Sequence, residues 1–279
     1  MSNYIDLHTH SIFSDGTMTP FELVKYAHEK GLAVLSLTDH DSMGGVTEAI
    51  DAGAQFNITV IPGIEFNTNH NGDIHILGYF IDVNSASLKA YLDSTKDKQI
   101  HWVIKTLNKL KKQKIDLDIE KIINNKNKVN ISSIISEMIR NQYVEDAKEA
   151  QEKYFDKGKL AYIEYLDHSS EQCIQIIRKI GGIPVLAHPM KISNNADEIF
   201  KIIKMLMKTG LQGIECYHPE NSPEFTNALV LFCGNNDLCV TGGSDFHGFD
   251  KPMDLAHPKV PIKVFEDLLR FRKDLNISN

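Results

Sequence analysis

Seven short apolar segments rich in β-branched residues recur along the chain and alternate with helical patterns. They lie at residues 4–7, 33–38, 59–64, 74–80, 183–187, 213–217 and 238–241. Most are continuously apolar rather than alternating, which is typical of strands covered on both faces. Alternation of strands and helices on this scale predicts an α/β fold with a parallel sheet, either open or closed into a barrel.

The stretch from residue 85 to residue 168 interrupts this alternation, because it reads as consecutive helices without a strand between them. We therefore predict a barrel domain built from residues 1–84 and 169–279, with a helical insertion subdomain over residues 85–168. Residues 96–128 contain ten lysines against four acidic residues. This lysine-rich segment is either a solvated helix face or a rim that guides phosphate groups toward an active site.

The overall charge limits the kinds of partner that the chain can bind. With 30 Lys and Arg against 37 Asp and Glu, its net charge of −7 disfavours bulk electrostatic binding to nucleic acid or anionic lipid. No apolar run approaches the roughly 18 residues of a membrane span, and residues 1–6 lack the basic start and apolar stretch of a signal peptide. We expect a cytoplasmic protein with no membrane partner and no obligate protein partner.

The strongest local signal is Asp6-Leu7-His8-Thr9-His10, at the end of the first predicted strand. Side chains at positions i and i+2 of a strand share a face, so both imidazoles can bind one metal ion. The same spacing recurs after the seventh strand in Gly243-Ser244-Asp245-Phe246-His247, where it pairs a carboxylate with an imidazole. Core packing does not readily explain two such pairs at opposite ends of the chain.

Further ligand candidates follow or lie within the other predicted strands. They are Asp15, His40, Glu65, His75 and His188. Taken singly, each is more often a hydrogen-bonded core or capping residue than a metal ligand. In a closed barrel, however, all of them gather at the carboxyl-terminal rim, where barrel enzymes place their chemistry. Nine oxygen and nitrogen ligands at one rim imply more than one metal ion.

These motifs resemble those of the polymerase and histidinol phosphatase (PHP) family of metal-dependent phosphoesterases. The matching motifs are His8-Thr9-His10, Thr38-Asp39-His40-Asp41, Gly63-Ile64-Glu65, His75-Ile76-Leu77-Gly78-Tyr79, Ala187-His188-Pro189 and Gly243-Ser244-Asp245-Phe246-His247. The resemblance is strongest to a stand-alone branch that contains nucleoside 3′,5′-bisphosphate phosphatases, nucleoside monophosphate phosphatases and enzymes that trim RNA from its 5′ end. It implies a distorted (β/α)7 barrel of the PHP type with a helical insertion.

The resemblance also implies three divalent metal ions, which can be manganese, iron or zinc. The first would be bound by His8, His10, Glu65 and Asp245, the second by Glu65, His75 and His188, and the third by Asp15, His40 and His247. A metal-bridging hydroxide would then attack the phosphorus, with Glu65 and Asp245 holding the reactive metal pair. Three ions bring a charge of about +6 and the three carboxylates about −3, so the site attracts phosphate within an acidic protein.

Candidate substrate contacts are fewer. His218 follows the sixth strand and is interpreted either as a residue that contacts phosphate or protonates the leaving group, or as a packing histidine. Related proteins carry an Arg-Pro-His triplet in the insertion, but the comparable stretch here is Val129-Asn130-Ile131-Ser132-Ser133. The candidates left in this region are Asn130 and Arg140. Arg140 lies about two and a half helical turns further along.

The sequence therefore predicts a metal-dependent phosphatase that hydrolyses a phosphate monoester of a small metabolite. The foremost candidate substrates are nucleotides, either AMP or a nucleoside 3′,5′-bisphosphate. One alternative is a 5′-to-3′ exonuclease on short RNA or DNA, which the lysine-rich segment favours. Two others are a histidinol phosphatase and a non-catalytic metal-binding module. The expected partner is accordingly a small phosphorylated substrate or a short oligonucleotide.

Overall fold

The protein is described by a computed structural model that covers residues 4–68, 74–123, 131–163, 168–249 and 253–275. Its chain divides into two compact units. The sheet unit comprises Met1–Lys89 and His168–Asn279, and the helical unit comprises Ala90–Asp167. The subdomain boundaries drawn from the sequence, at residues 85 and 168, remain a prediction.

All of the described strands belong to one mixed sheet. They are β1 (Tyr4–Thr9), β2 (Leu32–Leu37), β3 (Thr59–Asn67), β4 (His75–Tyr79), β5 (Ile183–Leu186), β6 (Gly213–Tyr217), β7 (Cys239–Gly242) and β8 (Val260–Pro261). Their order in the sheet is β7-β6-β5-β4-β3-β2-β1-β8. A parallel bridge between Thr9 and Phe246 joins the end of β1 to the segment after β7 and nearly closes the sheet. The distorted barrel expected from the sequence is confirmed.

The expectation of a parallel sheet is wrong at two strands. β4 runs antiparallel to both β3 and β5, and β8, which was not anticipated, runs antiparallel to β1. Only residues 68–74 join β3 to β4. Parallel neighbours need a crossover of about a dozen residues or more, so this short connection favours antiparallel pairing.

Helices connect the strands and also make up most of the helical unit. They are α1 (Pro20–Glu29), α2 (Val46–Phe56), α3 (Ala86–Lys112), α4 (Ile119–Ile123), α5 (Ile131–Arg140), α6 (Ala147–Ala150), α7 (Ser170–Lys179), α8 (Ala196–Thr209), α9 (Pro223–Asn235) and α10 (Ile262–Asp274). Thr19 and Glu22 form a reciprocal capping box at the start of α1, and Ser169 forms another at α7. None of the described helices is both long and apolar enough to cross a membrane.

The strands of the sheet unit are buried on both faces, as their continuous apolar character predicts. In β2, Val34 packs into one apolar cluster with Ile5 of β1 and Leu268 of α10. Leu35, the next residue along β2, packs into a second cluster with Leu23 of α1. The sheet is thus held from both sides, and this fixes the positions of the residues that follow each strand.

The helical unit has an apolar core of its own. Val103, Leu110, Ile134 and Met138 are among its buried members. A helical turn of the π type, Gln151–Phe155, continues directly from α6 and contributes Phe155 to the same core.

Candidate metal centre

Side chains at one rim of the sheet converge on a common point. His8 lies on β1 and Glu65 on β3, whereas His188 and Asp245 follow β5 and β7 by two and three residues. His75 is the first residue of β4. Because β4 runs against its neighbours, its amino end lies at the same rim as the carboxyl ends of the parallel strands.

Glu65 is fully buried at the centre of this arrangement. Its Oε2 atom lies 3.2 Å from each of His8 Nε2, His10 Nε2 and His40 Nδ1. Its Oε1 atom lies 3.0 Å from His75 Nδ1 and 2.9 Å from His188 Nε2. Five imidazole rings therefore surround one carboxylate.

Two further carboxylates extend the cluster. Asp245 Oδ1 lies 3.2 Å from His10 Nε2 and 3.4 Å from His8 Nε2. Asp15 Oδ1 lies 3.1 Å from His247 Nε2. The structure thus brings together all nine side chains that the sequence singled out as metal ligands.

The segment after β7 reaches this site because of a glycine. A Cβ atom on Gly243 would lie 2.4 Å from the backbone nitrogen of His8, so only glycine permits this approach. Three residues near the centre also adopt left-handed backbone conformations, with φ of 48° at Asp41, 27° at His188 and 55° at Asp245. Such strain is concentrated at functional sites, where the surrounding structure holds it in place.

The donor atoms fit divalent metal ions. Several buried atoms of this cluster lack a hydrogen-bond partner among the described residues, including His8 Nε2, His10 Nε2, His40 Nδ1 and Glu65 Oε2. Buried polar atoms are normally satisfied, yet here three ring nitrogens face one carboxylate oxygen without a hydrogen bond. Imidazole nitrogens and carboxylate oxygens are ligands that zinc, iron and manganese accept.

The described residues contain three groups of possible metal ligands. Within each group, the ligand atoms all lie within 4.8 Å of one another. The groups are His8, His10, Glu65 and Asp245; His10, Asp15, His40 and His247; and His40, Glu65 and His75. The first group is the set expected for one metal ion. The others show that His10 and His40 each lie between two groups, a detail that spacing along the chain does not reveal.

Burial and the neighbouring carboxylates shift the pKa values of the imidazole rings at the centre in opposite directions. Burial opposes protonation of His10, but the neighbouring carboxylates of Asp245 and Glu65 outweigh it and raise the pKa of His10 to about 9. Burial likewise opposes protonation of His8, but Glu215, Glu65 and Asp245 raise its pKa well above the usual value. By contrast, burial lowers the pKa of His40 to about 3 and that of His188 to about 4.

Buried carboxylates behind the rim hold the predicted ligands in place. Glu215 Oε1 lies 2.9 Å from His8 Nδ1, and Glu215 Oε2 accepts a 2.7 Å hydrogen bond from the backbone N–H of His188. Asp39 accepts hydrogen bonds from the side chains of Ser11 and Ser14, in the loop that carries Asp15. A hydrogen-bond partner behind a metal ligand orients that ligand and, for a histidine, determines which ring nitrogen carries the proton.

The positioning role of Glu215 was missed from the sequence. A glutamate inside the otherwise apolar strand β6 was the available signal, because buried carboxylates are rarely left unpaired.

A cavity of about 280 Å³ opens above the centre. Its lining comprises Asp15, His40, Glu65, His75, His188, Lys191, Glu220, Asp245, His247 and Met253. Lys191 was also missed from the sequence, and its ammonium group donates a 2.5 Å hydrogen bond to Asp245 Oδ2. His218 is buried nearby, with Nε2 3.9 Å from the same oxygen.

Two other substrate contacts were predicted from the sequence, Asn130 and Arg140. Asn130 lies outside the described residues. Arg140 lies at the end of α5 in the helical unit, where it is mostly exposed and donates a 2.9 Å hydrogen bond to Glu137.

The chain matches a known domain family and is similar over most of its length to several known proteins. Residues 6–217 match the PHP domain. A 5′-3′ exoribonuclease of Haemophilus influenzae is 29% identical over 271 residues, which cover 94% of this chain and 98% of that protein. A 3′,5′-nucleoside bisphosphate phosphatase of Chromobacterium violaceum is 29% identical over 247 residues, 87% of each chain. The structure of an amidohydrolase from C. violaceum, with bound sulfate and no metal, superposes with a TM-score of 0.77 at 28% identity over 96% of each chain.

Proposed function

The chain is a metal-dependent phosphoesterase that belongs to the PHP domain family, and we propose that it hydrolyses a phosphate monoester of a small metabolite, foremost a nucleotide. The observation that carries this proposal is the convergence of five imidazole rings on the buried carboxylate of Glu65 at the floor of an open cavity. Such a centre suits hydrolysis at phosphorus and leaves room above it for a phosphate group.

The residues proposed to hold the metal ions are His8, His10, Asp15, His40, Glu65, His75, His188, Asp245 and His247. Three divalent ions are the number we propose, with manganese, iron or zinc as the candidates. When bound, they supply Lewis-acid activation of water and positive charge for the phosphoryl oxygens. The three carboxylates offset about half of the added charge of roughly +6, so the cavity stays attractive to a phosphate dianion.

In this proposal, Glu65 and Asp245 are the carboxylates that hold the metal ions at the middle of the site. Glu65 presents both carboxylate oxygens to imidazole rings, so it can link two neighbouring ligand groups. Oδ1 of Asp245 faces His8 and His10, whereas Oδ2 faces Lys191 on the cavity side. Loss of Glu65 would leave five rings without their common partner, and loss of Asp245 would leave His8 and His10 with Glu65 alone.

His218 is proposed to donate a hydrogen bond to the substrate. The backbone N–H of Glu220 donates to His218 Nδ1 at 3.3 Å, so the neutral ring carries its proton on Nε2. That Nε2 atom is buried and has no hydrogen-bond partner among the described residues. It is therefore oriented to donate to a phosphoryl oxygen or to the leaving oxygen beside Asp245.

The substrate class is supported by the cavity and by a relative. A cavity of about 280 Å³ is near the lower end of the roughly 300–1,000 Å³ usual for small-molecule sites, so it fits a phosphorylated end rather than a bulky ligand. The C. violaceum phosphatase named for nucleoside 3′,5′-bisphosphates is 29% identical. We take AMP and adenosine 3′,5′-bisphosphate as the first compounds to test.

Phosphate release from a panel of substrates tests this function. The panel is AMP, adenosine 3′,5′-bisphosphate, histidinol phosphate and a short 5′-phosphorylated RNA, assayed with manganese-reconstituted protein. Rapid release from one of the two nucleotides would support the proposal, whereas turnover of histidinol phosphate alone would overturn the nucleotide assignment. Bound metal with no turnover of any compound would favour the non-catalytic module.

A second candidate function, 5′-to-3′ cleavage of short RNA, is favoured by a basic groove in the helical unit. The groove has a volume of about 490 Å³ and is lined by Lys105, Asn108, Lys109, Lys112, Tyr162 and Ile163. Its lysines are spaced by four and three residues and so share one face of α3. The H. influenzae exoribonuclease is 29% identical over 94% of this chain, and lysines beside an aromatic ring suit single-stranded RNA.

Neutralising the groove separates the two functions. If RNA is the substrate, Lys105→Gln with Lys112→Gln should weaken RNA cleavage and flatten its salt dependence, while AMP hydrolysis stays unchanged. Lys111→Gln is the matched control, because Lys111 is exposed and pairs with Asp116. Equal effects of the double variant on RNA and AMP would contradict a role of the groove in RNA binding.

A further inference from the structure

We propose that Lys191 binds the phosphoryl group of the substrate through its ammonium group. The inference rests on the proposed phosphoesterase function and names a recognition residue for it. No sequence motif indicated this lysine, and the three-residue helical turn Pro189–Lys191 carries it to the cavity.

The position of Lys191 is set by the chain that follows β5. Its backbone N–H donates a 2.9 Å hydrogen bond to the carbonyl of His188, so the turn follows immediately after a proposed metal ligand. The side chain then extends into the lining of the 280 Å³ cavity. Among the described residues that line this cavity, it is the one lysine or arginine.

The two oxygens of Asp245 have different neighbours, and this gives Lys191 its orientation. Oδ1 faces His8 and His10, on the metal side. Oδ2 faces the ammonium group of Lys191 at 2.5 Å and His218 Nε2 at 3.9 Å. Asp245 therefore binds the ammonium group of Lys191, with His218 close by, beside the place where we expect the substrate phosphate.

Lys191 keeps donor capacity for a ligand while it holds Asp245. An ammonium group carries three N–H donors, and the hydrogen bond to Asp245 uses one. The side chain is 29% exposed and lines the cavity, so a ligand in the cavity can reach it. A phosphate dianion at this position would gain a charge-assisted hydrogen bond, one of the stronger kinds in proteins.

A purely structural ion pair is the competing explanation, and the variants are chosen to separate the two. Lys191→Met removes the charge but keeps an unbranched side chain, and Lys191→Arg restores a cation. Lys30→Met is the matched control, because Lys30 donates a 2.6 Å hydrogen bond to Asp254 in an exposed pair that does not line the cavity.

The test measures binding of inorganic phosphate to manganese-loaded protein by calorimetry, together with metal content and kcat and KM for the best substrate. We expect Lys191→Met to keep its metal, to bind phosphate about 10- to 100-fold more weakly and to show a raised KM. Lys191→Arg should recover part of the affinity, and Lys30→Met should match the wild type.

Two results would overturn the inference. One is unchanged phosphate affinity in Lys191→Met. The other is that Lys191→Met loses metal but binds phosphate normally at the sites that remain loaded. That result would show that Lys191 only positions Asp245. Phosphate binding does not require turnover, so a wild type that hydrolyses nothing would contradict the proposed function while leaving the role of Lys191 measurable.

Discussion

The Nδ1 atom of His8 lies 2.9 Å from Oε1 of Glu215, and both side chains are fully buried. An ionised carboxylate only accepts hydrogen bonds, so Nδ1 of His8 carries a proton and Nε2 is directed toward Glu65 and Asp245. The other oxygen of Glu215 accepts the backbone N–H of His188. One carboxylate on β6 thus orients two of the proposed ligands, on β1 and after β5.

Replacement of Glu215 should weaken metal binding although Glu215 is not itself a proposed ligand. We expect Glu215→Gln to reduce the affinity for manganese by about 10- to 100-fold, because the amide no longer favours the required tautomer of His8. Titration against a competing chelator measures this affinity. Glu198→Gln is the control, since Glu198 is exposed and bonds to Ser193. An affinity equal to that of the wild type would show that Glu215 does not position His8.

Removal of a central carboxylate should abolish hydrolysis of every substrate. Glu65→Ala takes away the common partner of five imidazole rings, and Asp245→Ala takes away a second carboxylate that faces His8 and His10. We expect phosphate release to fall to the background rate in both variants. Asp254→Asn, in an exposed pair with Lys30, should retain full activity. Substantial turnover by metal-loaded Glu65→Ala would contradict the proposed mechanism.

Metal loading at pH 7 should release protons. Before metal is added, the surrounding carboxylates raise the pKa of His10 to about 9 and that of His8 well above its usual value, which favours protonated rings at neutral pH. A ring must lose a proton to bind a metal ion, and metal affinity should therefore fall as the pH is lowered. Calorimetry in buffers of different ionisation enthalpy should show release of about one to two protons per chain. A binding enthalpy independent of the buffer would contradict this.

Asp6 should be important for stability rather than for catalysis. Its Oδ1 atom accepts the backbone N–H groups of His8 and Ser244, and Oδ2 accepts that of Ala256. Asp6→Asn leaves one acceptor oxygen, so at least one of these three backbone N–H groups loses its partner. The free energy of unfolding of the ion-free protein should fall by about 1–3 kcal/mol. Urea denaturation measures the change, and a loss no greater than that of exposed Asp254→Asn would show that these bonds contribute little.

The sequence was most informative where ligands are close to one another along the chain. His8 and His10, two residues apart at the end of β1, face the same way, and Asp245 and His247 repeat the spacing after β7. The rule that residues after barrel strands gather at one rim also placed Asp15, His40, Glu65 and His188 together. These predictions need only strand geometry, which is local.

The sequence was less informative where long-range pairing decides the structure. The direction of β4 depends on its neighbours, and that direction explains why His75 reaches the rim from the start of its strand. Glu215 is 207 residues from His8, and Lys191 is 54 residues from Asp245. Neither pair has a spacing that marks it, because both contacts exist only after the sheet has closed.

Metal content measured together with phosphate release is the most direct test of the central claim. Protein stripped of metal and then reconstituted with manganese should bind about three ions per chain and release phosphate from AMP or adenosine 3′,5′-bisphosphate, and chelation should abolish that release. Full activity in protein shown to be free of metal would contradict the account.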